Sequence, residues 1–442
     1  MSETFIPLRS REIRRYLPGK LLKLYPYTPA DPHGSNDYPE NDLPVDLQPG
    51  WVRGFDPTNV FDPDIVLKVD QQLATGYDRQ SQVTLCSFVK TPSQHDDDKH
   101  APRRGKAYPT QVVAKSFDAA LYSDFYGISH DQRADSDLSI EHAAYNHMYG
   151  RGLTGYPHLT PEYYGTYVAV FDLGVDYSGR RRYRCSGVVL MQYIPGISVE
   201  NLCNRPNGTE LAPPRMHPFK GASDDREVFL DDDFRKDVIR QFLDGAVRML
   251  HVGIEHDSAE PRNLFVTMMN DDEDLDAPWV VIIDYTLTQV LRFTKEGRED
   301  PDDPVQGIEK LPLPPHPWER FSFTALGKFV GWYPFSRYYN LRTNKYEEKP
   351  IFAKEIVWCK QGRPVNWDEA SEEQRKEFRQ VPSFVYNKNG KKVVEAEKEF
   401  DAWLIDTFDP IVEGSEVGGN YSTFETLRRI EDADQKPETD QL

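Results

Sequence analysis

Two of the most apolar runs in this chain end in a full charge. Val112-Val113-Ala114 closes on Lys115, and Val280-Val281-Ile282-Ile283 closes on Asp284. Taking such a charge out of water is costly unless an opposite charge or a metal compensates it. The chain must therefore fold so that a strand-end ammonium and a strand-end carboxylate each find a partner.

The order of elements around these two positions narrows the fold class. Residues 64–76 and 81–90 read as strands around a polar turn, and 110–117 as a third strand ending near Lys115. The run 91–109 is polar and reads as a loop. A helix is expected over Asp135–Tyr149, capped by Asp137 or Ser139, with Ile140, Ala143, Ala144 and Met148 on one face. Strands follow at Tyr164–Phe171 and Tyr183–Tyr193. The clearest helix starts at Asp231. Its acidic start suits the helix dipole, and Val238, Ile239, Phe242, Leu243, Ala246, Val247 and Leu250 form a 3.6-residue stripe. Strands at Leu264–Thr267 and Trp279–Ile283 close the patterned region. Residues 1–60 read as an extended segment draped over the core through Trp51 and the tyrosines around Tyr25. Past 290 the pattern weakens, though Trp318, Trp332, Trp358 and Trp403 indicate a packed, helix-dense region. Residues 428–442 read as a disordered tail.

Charge and cysteine usage exclude several classes. With 72 acidic against 53 basic residues the net charge is -19, a field that repels nucleic acid. The acidic runs Asp96–Asp98, Asp231–Asp233 and Asn270–Asp276 read as solvated. No stretch approaches the roughly 18–20 apolar residues that span a bilayer, and the N-terminus lacks an apolar leader core. Cys86, Cys185, Cys203 and Cys359 stand far apart, which suits a reducing compartment and no zinc site. The expected location is the cytoplasm, with the nucleus open to it.

Four places carry candidate chemistry. Lys115 ends its strand, and Glu141 lies in the helix that follows. His256, Asp257, Ser258 and Asn263 crowd the loop between the strong helix and its next strand, and Asp284 ends the last apolar run. Phosphoryl transfer asks for such parts: a cation on the phosphates, carboxylate and amide oxygens on Mg²⁺, and a group orienting the attacking hydroxyl. No His-Glu-x-x-His, Gly-x-Ser-x-Gly or Walker A loop is present. A hydrolase triad of neighbours His256, Asp257 and Ser258 is geometrically unfavourable. His142 and His147, five apart, are off metal spacing and are expected at the surface.

The ordered set resembles the protein-kinase-like superfamily, particularly divergent kinase-like proteins of fungi. The segments VVAKSFDAALY, IEHAAYNHM, VVLMQYIPG, HDSAEPRNLFV and VVIIDY carry the resemblance, over about residues 62–290. It implies an α+β, bilobal protein-kinase-like fold with a small β-rich N-lobe over 61–190 and a larger, mainly helical C-lobe over 191–427. It implies ATP and Mg²⁺ as cofactors, Lys115 and Glu141 as the phosphate pair, and Asn263 and Asp284 as metal ligands. Leu190, Gln192 and Ile194 would form the adenine hinge through their backbone, Gly76 would lie at the phosphate loop, and Asp257 would be the catalytic base. The implied activity transfers the γ-phosphate of ATP to a hydroxyl of a protein Ser/Thr or a small molecule. The alternative is a pseudokinase acting as a nucleotide-binding or scaffold module.

The departures bear on that choice. No Gly-x-Gly-x-x-Gly joins the first two strands, Tyr285-Thr286-Leu287 follows Asp284 in place of Phe-Gly, and no Ala-Pro-Glu follows. The family places Asp five residues before the loop Asn. Here Ser258 stands five before Asn263 and Asp257 six before it. Either Ser258 occupies the base position, or the loop holds one extra residue and Asp257 swings in.

Overall fold

A computed structural model describes residues 12–295 apart from 35–36, 43–49, 61, 78, 92–107, 124–127 and 206–210. Beyond 295 it describes only 297, 317, 326, 328–329, 331–332, 338–340, 345–347, 357–358, 364–365, 403 and 407. Most of the polar run 91–109 including Asp96–Asp98, and also Trp318, Cys359 and the 428–442 tail, lie outside the described residues.

The chain divides into two compact units. The first comprises Met1–Ile194, Val252–Ser258 and Ile283–Asp303. The second comprises Pro195–His251, Ala259–Ile282 and Pro304–Leu442. The expected division at 190 assigns everything beyond it to one lobe, whereas the chain returns twice to the first unit.

The first unit is built on a closed antiparallel barrel. Its strands are β1 (Leu21–Pro26), β2 (Ile65–Ala74), β3 (Gln82–Lys90), β4 (Gln111–Phe117), β5 (Tyr163–Val175) and β6 (Arg181–Gln192). The order around the barrel is β1-β2-β3-β4-β6-β5, with β1 pairing both β2 and β5. The expectation of residues 1–60 as a draped extension is thus corrected: they supply the strand that removes both sheet edges. Leu22 and Leu24 alternate inward and are fully buried with Ile65, Leu67, Val112, Ala114, Val188 and Leu190. Trp51, expected to anchor the segment, is 50% exposed. The anchor is polar instead. Tyr16 Oη donates to Asp118 Oδ2 at 2.8 Å, and the Arg184 guanidinium bonds the same oxygen at 2.8 Å and pairs with Glu12.

Helix α1 (His130–Gly150) packs against strands β4, β5 and β6 of this barrel. It starts five residues before the expected position, because Ser129 and Gln132 form a reciprocal capping box. Asp137 and Ser139 consequently lie inside the helix. Gly187 on β6 admits α1: a Cβ there would stand 2.2 Å from Leu138 Cδ2. His142 and His147 are buried, not exposed as expected. The first bonds Tyr163 Oη and Thr166 Oγ1 at 3.1 and 2.9 Å, and the second donates to the Val252 carbonyl at 2.6 Å. A short ladder, Ile254–His256 against Thr288–Val290, completes the unit.

In the second unit, helix α2 (Asp232–His251) buries Val238, Ile239, Phe242, Leu243, Val247 and Leu250, and Asp231 Oδ1 caps it through the Phe234 N–H at 2.9 Å. Gln241 ties α2 to its sheet by donating to the Pro278 carbonyl at 2.7 Å and accepting the Val280 N–H at 3.1 Å. That sheet runs Glu273–Ile282, Leu264–Asn270, Ile197–Ser198. A hairpin pairs Met216–Phe219 with Arg226–Phe229. The expected mainly helical lobe is therefore corrected for the described residues, where α2 is the only long helix among several strand pairs. No helix among the described residues is long and apolar enough to cross a membrane.

Candidate functional site

The first unit answers the problem posed by the two strand-end charges. Lys115 comes from β4, between β3 and β6, and its side chain is almost wholly buried. Glu141 comes from the buried middle of α1, and Asp284 from the chain entering Thr288–Val290. Lys115 Nζ donates to Glu141 Oε2 at 2.5 Å and to Asp284 Oδ1 at 2.8 Å. One ammonium thus serves two carboxylates from two different elements.

The three groups are electrostatically unequal. Asp284 is held down at about 2, first by the Lys115 charge and against a smaller burial penalty. Burial would lower the Lys115 pKa, but Asp284 and Glu141 outweigh it and raise it, so the ammonium persists. Glu141 is pushed up to about 7 because burial exceeds the pull of Lys115. Asp284, with a side chain 43% exposed, is the carboxylate that a ligand can reach. It adopts φ 68°, a left-handed conformation uncommon outside glycine, and Thr286 Oγ1 donates to its Oδ1 at 2.9 Å.

The remaining predicted residues fall as follows. Leu190 lies inside the sheet between Ala114 and Gly165, and the Gln192 N–H donates to the Glu162 carbonyl at 2.8 Å. Backbone recognition by that N–H would require breaking a ladder bond. Ile194 lies past the last ladder pair. Gly76 is gripped at both backbone ends by the buried Gln82, whose Oε1 accepts its N–H at 2.9 Å and whose Nε2 donates to its carbonyl at 3.0 Å. Asn263 is buried in the second unit, where its N–H donates to the Glu260 carbonyl at 2.9 Å.

His256 opens the candidate loop. It is half-buried, edge-on to Tyr285 with ring centroids 4.8 Å apart, and desolvation lowers it to about 4, so the ring is neutral. Its Nδ1 accepts the Ser258 N–H at 3.3 Å. Ser258 is buried, while Asp257 is exposed and accepts a hydrogen bond from Gln289 Nε2 at 3.1 Å.

A magnesium-bound phosphate fits these residues in kind. Mg²⁺ is commonly held by one or two carboxylates together with substrate phosphates, and Asp284 offers an ionised, accessible one. Among the described residues no three His, Cys, Asp or Glu side chains converge as a metal cage.

Solved protein kinase domains are what this chain is similar to. Two structures of the Mycobacterium tuberculosis PknI kinase domain, both double mutants, match it. The first is 14% identical with a TM-score of 0.26, covering 55% of this chain and 64% of that domain. The second is 12% identical with a TM-score of 0.28, covering 65% and 80%. The chain thus spans less than two thirds of the first domain's length. At such identities and TM-scores the likeness carries no argument. No protein-family model and no curated protein matches the chain.

Two residues of the site escaped the sequence reading. Gln82 is a polar residue at a strand start, and nothing in its neighbourhood announces that its amide closes the turn at Gly76. Asp137, one helical turn before Glu141, is half-buried near Lys115 and Asp284 and pushed up to about 6 by desolvation, with Tyr122 Oη donating to its Oδ2 at 3.1 Å. Its i, i+4 spacing to Glu141 is the signal that could have found it.

Proposed function

We propose that this protein is a kinase-like nucleotide-binding module that grips phosphate through Lys115 and lacks a carboxylate placed to take a proton from an attacking hydroxyl. The observation that carries the reading is the buried Lys115 ammonium shared by Glu141 and Asp284. An ammonium fixed by two carboxylates is held in one place, and the exposed Asp284 carboxylate beside it is where a metal-bound phosphate would enter. Asp284 would hold magnesium, which would supply charge neutralisation on the phosphates. Reading Ser258, five before Asn263, as the residue at the base position, with the Asp257 carboxylate bonded by Gln289, supports weak or absent phosphate transfer. A positioned base contributes roughly 10²–10⁴-fold in rate.

The test is the thermal unfolding midpoint of the full chain with and without Mg-ATP, for wild type, Lys115→Ala and Asp284→Ala. Ligand at about 100 times its dissociation constant adds roughly 2.7 kcal/mol, a shift of a few degrees. The expected result is an ATP-induced shift in wild type that is absent in both variants. No shift in wild type at saturating Mg-ATP would sink the proposal. ATP turnover that disappears in Asp257→Asn would instead establish an active phosphotransferase.

A further inference from the structure

The described residues between Asp31 and Arg53 touch both elements that bring carboxylates to Lys115. At the start of α1, Asn41 Nδ2 donates to the Gln132 carbonyl at 2.9 Å and to Ser136 Oγ at 3.0 Å. Asp135 Oδ2 receives His33 Nε2 at 2.8 Å and Arg53 Nε at 3.0 Å, and Arg53 NH2 returns to Asn41 Oδ1 at 3.1 Å. The Gly50 N–H donates to Asp131 Oδ1 at 3.1 Å. The approach is close: Gly34 has φ +85°, and a Cβ there would stand 2.2 Å from Ser136 Oγ. Glu141 lies six residues beyond Asp135 on the same helix.

Four residues beyond Asp284, the same segment makes a second attachment. Tyr38 is 3% exposed, its Oη donates to the Thr288 carbonyl at 3.0 Å, and the Val290 N–H donates to that Oη at 2.5 Å. The Lys295 N–H donates to the Asp37 carbonyl at 2.8 Å. A single hydroxyl therefore satisfies the backbone on both sides of Gln289, the residue that holds Asp257.

We infer that this segment is a brace within the chain that sets where Glu141 and Asp284 stand about Lys115, with Tyr38 as the positioning residue on the Asp284 side and Asn41 on the Glu141 side. The inference rests on the reading of Lys115 as a phosphate grip. A short polar segment spanning two elements fixes their relative placement at the cost of its own ordering, and phosphate affinity then depends on residues that never touch the ligand. Asn41 and Tyr38 are three residues apart, so loss at one end is transmitted to the other.

The experiment compares the full-length wild type with Tyr38→Phe, which keeps the ring and removes the hydroxyl, and with Asn41→Ala. Amide hydrogen exchange without nucleotide is read over residues 130–141 and 284–290, and Mg-ATP affinity is measured by calorimetry. The expected result is faster exchange of both segments in each variant, with β3 and β4 unchanged, and Mg-ATP affinity weakened about 5- to 10-fold, the scale of one or two lost buried hydrogen bonds. A merely local role would speed exchange only beside the substituted residue, and that outcome overturns the brace. Wild-type exchange and affinity in both variants also overturn it. If wild type itself binds no Mg-ATP, the phosphate reading fails, and the exchange result alone still decides the brace.

Discussion

Glu141 gives Oε2 to the Lys115 ammonium at 2.5 Å and keeps Oε1 buried without a hydrogen-bond partner among the described residues. A buried ion pair is costly to break from one side, because the remaining charge is left desolvated. Lys115→Met leaves Glu141 and Asp284 with no cation and is expected to cost about 3–5 kcal/mol in urea unfolding. Lys115→Met with Glu141→Leu should recover most of that loss, since both buried charges are then gone. A loss below about 1 kcal/mol in the single variant would show that the pair is solvated in solution.

The same carboxylate gives stability a pH dependence of defined sign. Glu141 is raised to about 7 by burial, so folding favours its protonated form. Its contribution is complete below the ordinary glutamate range and is lost as pH rises through about 7. Asp284, held near 2, contributes in the opposite sense, and that stability is lost only as pH falls towards about 2. Between about pH 5 and 8 the wild-type unfolding midpoint should therefore fall more steeply than that of Glu141→Gln, which mimics the protonated acid. Parallel curves would mean that Glu141 titrates as it does when unfolded.

Gly187 is where α1 approaches β6, and its missing side chain makes the room. With Leu138 buried on the opposite face, a methyl at 187 meets both its terminal carbons within 2.9 Å. Gly187→Ala is expected to cost about 1–3 kcal/mol as an overpacked core site. Leu138→Ala in the same chain should relieve part of that cost, giving non-additive free energies in a double-mutant cycle. Additive losses would show that the helix shifts freely away from the strand.

The strands and the two charged strand ends were legible because each is a short apolar run with an abrupt polar boundary. The barrel was not. The strand Leu21–Pro26 shows only two inward leucines, interrupted by Lys23 and ended by Pro26, and its role depends on edges presented by β2 and β5, which lie far along the chain. The start of α1 was written in Ser129 and Gln132, but its first turns are polar and the apolar face begins later. His142 and His147 read as surface residues because the hydroxyls and carbonyl they bond, on Tyr163, Thr166 and Val252, become neighbours only in three dimensions. The site residues Lys115, Glu141 and Asp284 were found through chemistry in order along the chain. The base register was not legible, because Asp257 and Ser258 stand six and five before Asn263 and either fits the spacing with or without one extra residue.

The base position sets the last prediction. Ser258 stands five before Asn263 in the chain and gives its N–H to His256, the Asp257 carboxylate is held by Gln289, and the proposed reading puts Ser258 at the base position. Asp257→Asn should change ATP turnover less than about twofold, because a group outside the base position contributes little to proton transfer. Ser258→Asp places a carboxylate in that register and should raise turnover by tenfold or more, below the roughly 10²–10⁴-fold ceiling of a well-positioned base. The gain comes with a loss of stability, since Ser258 is buried and a charge there is desolvated. The measurement is ADP release by wild type and both variants at saturating Mg-ATP. A wild-type rate abolished by Asp257→Asn, with no gain in Ser258→Asp, would assign the base to Asp257 and overturn the proposed register.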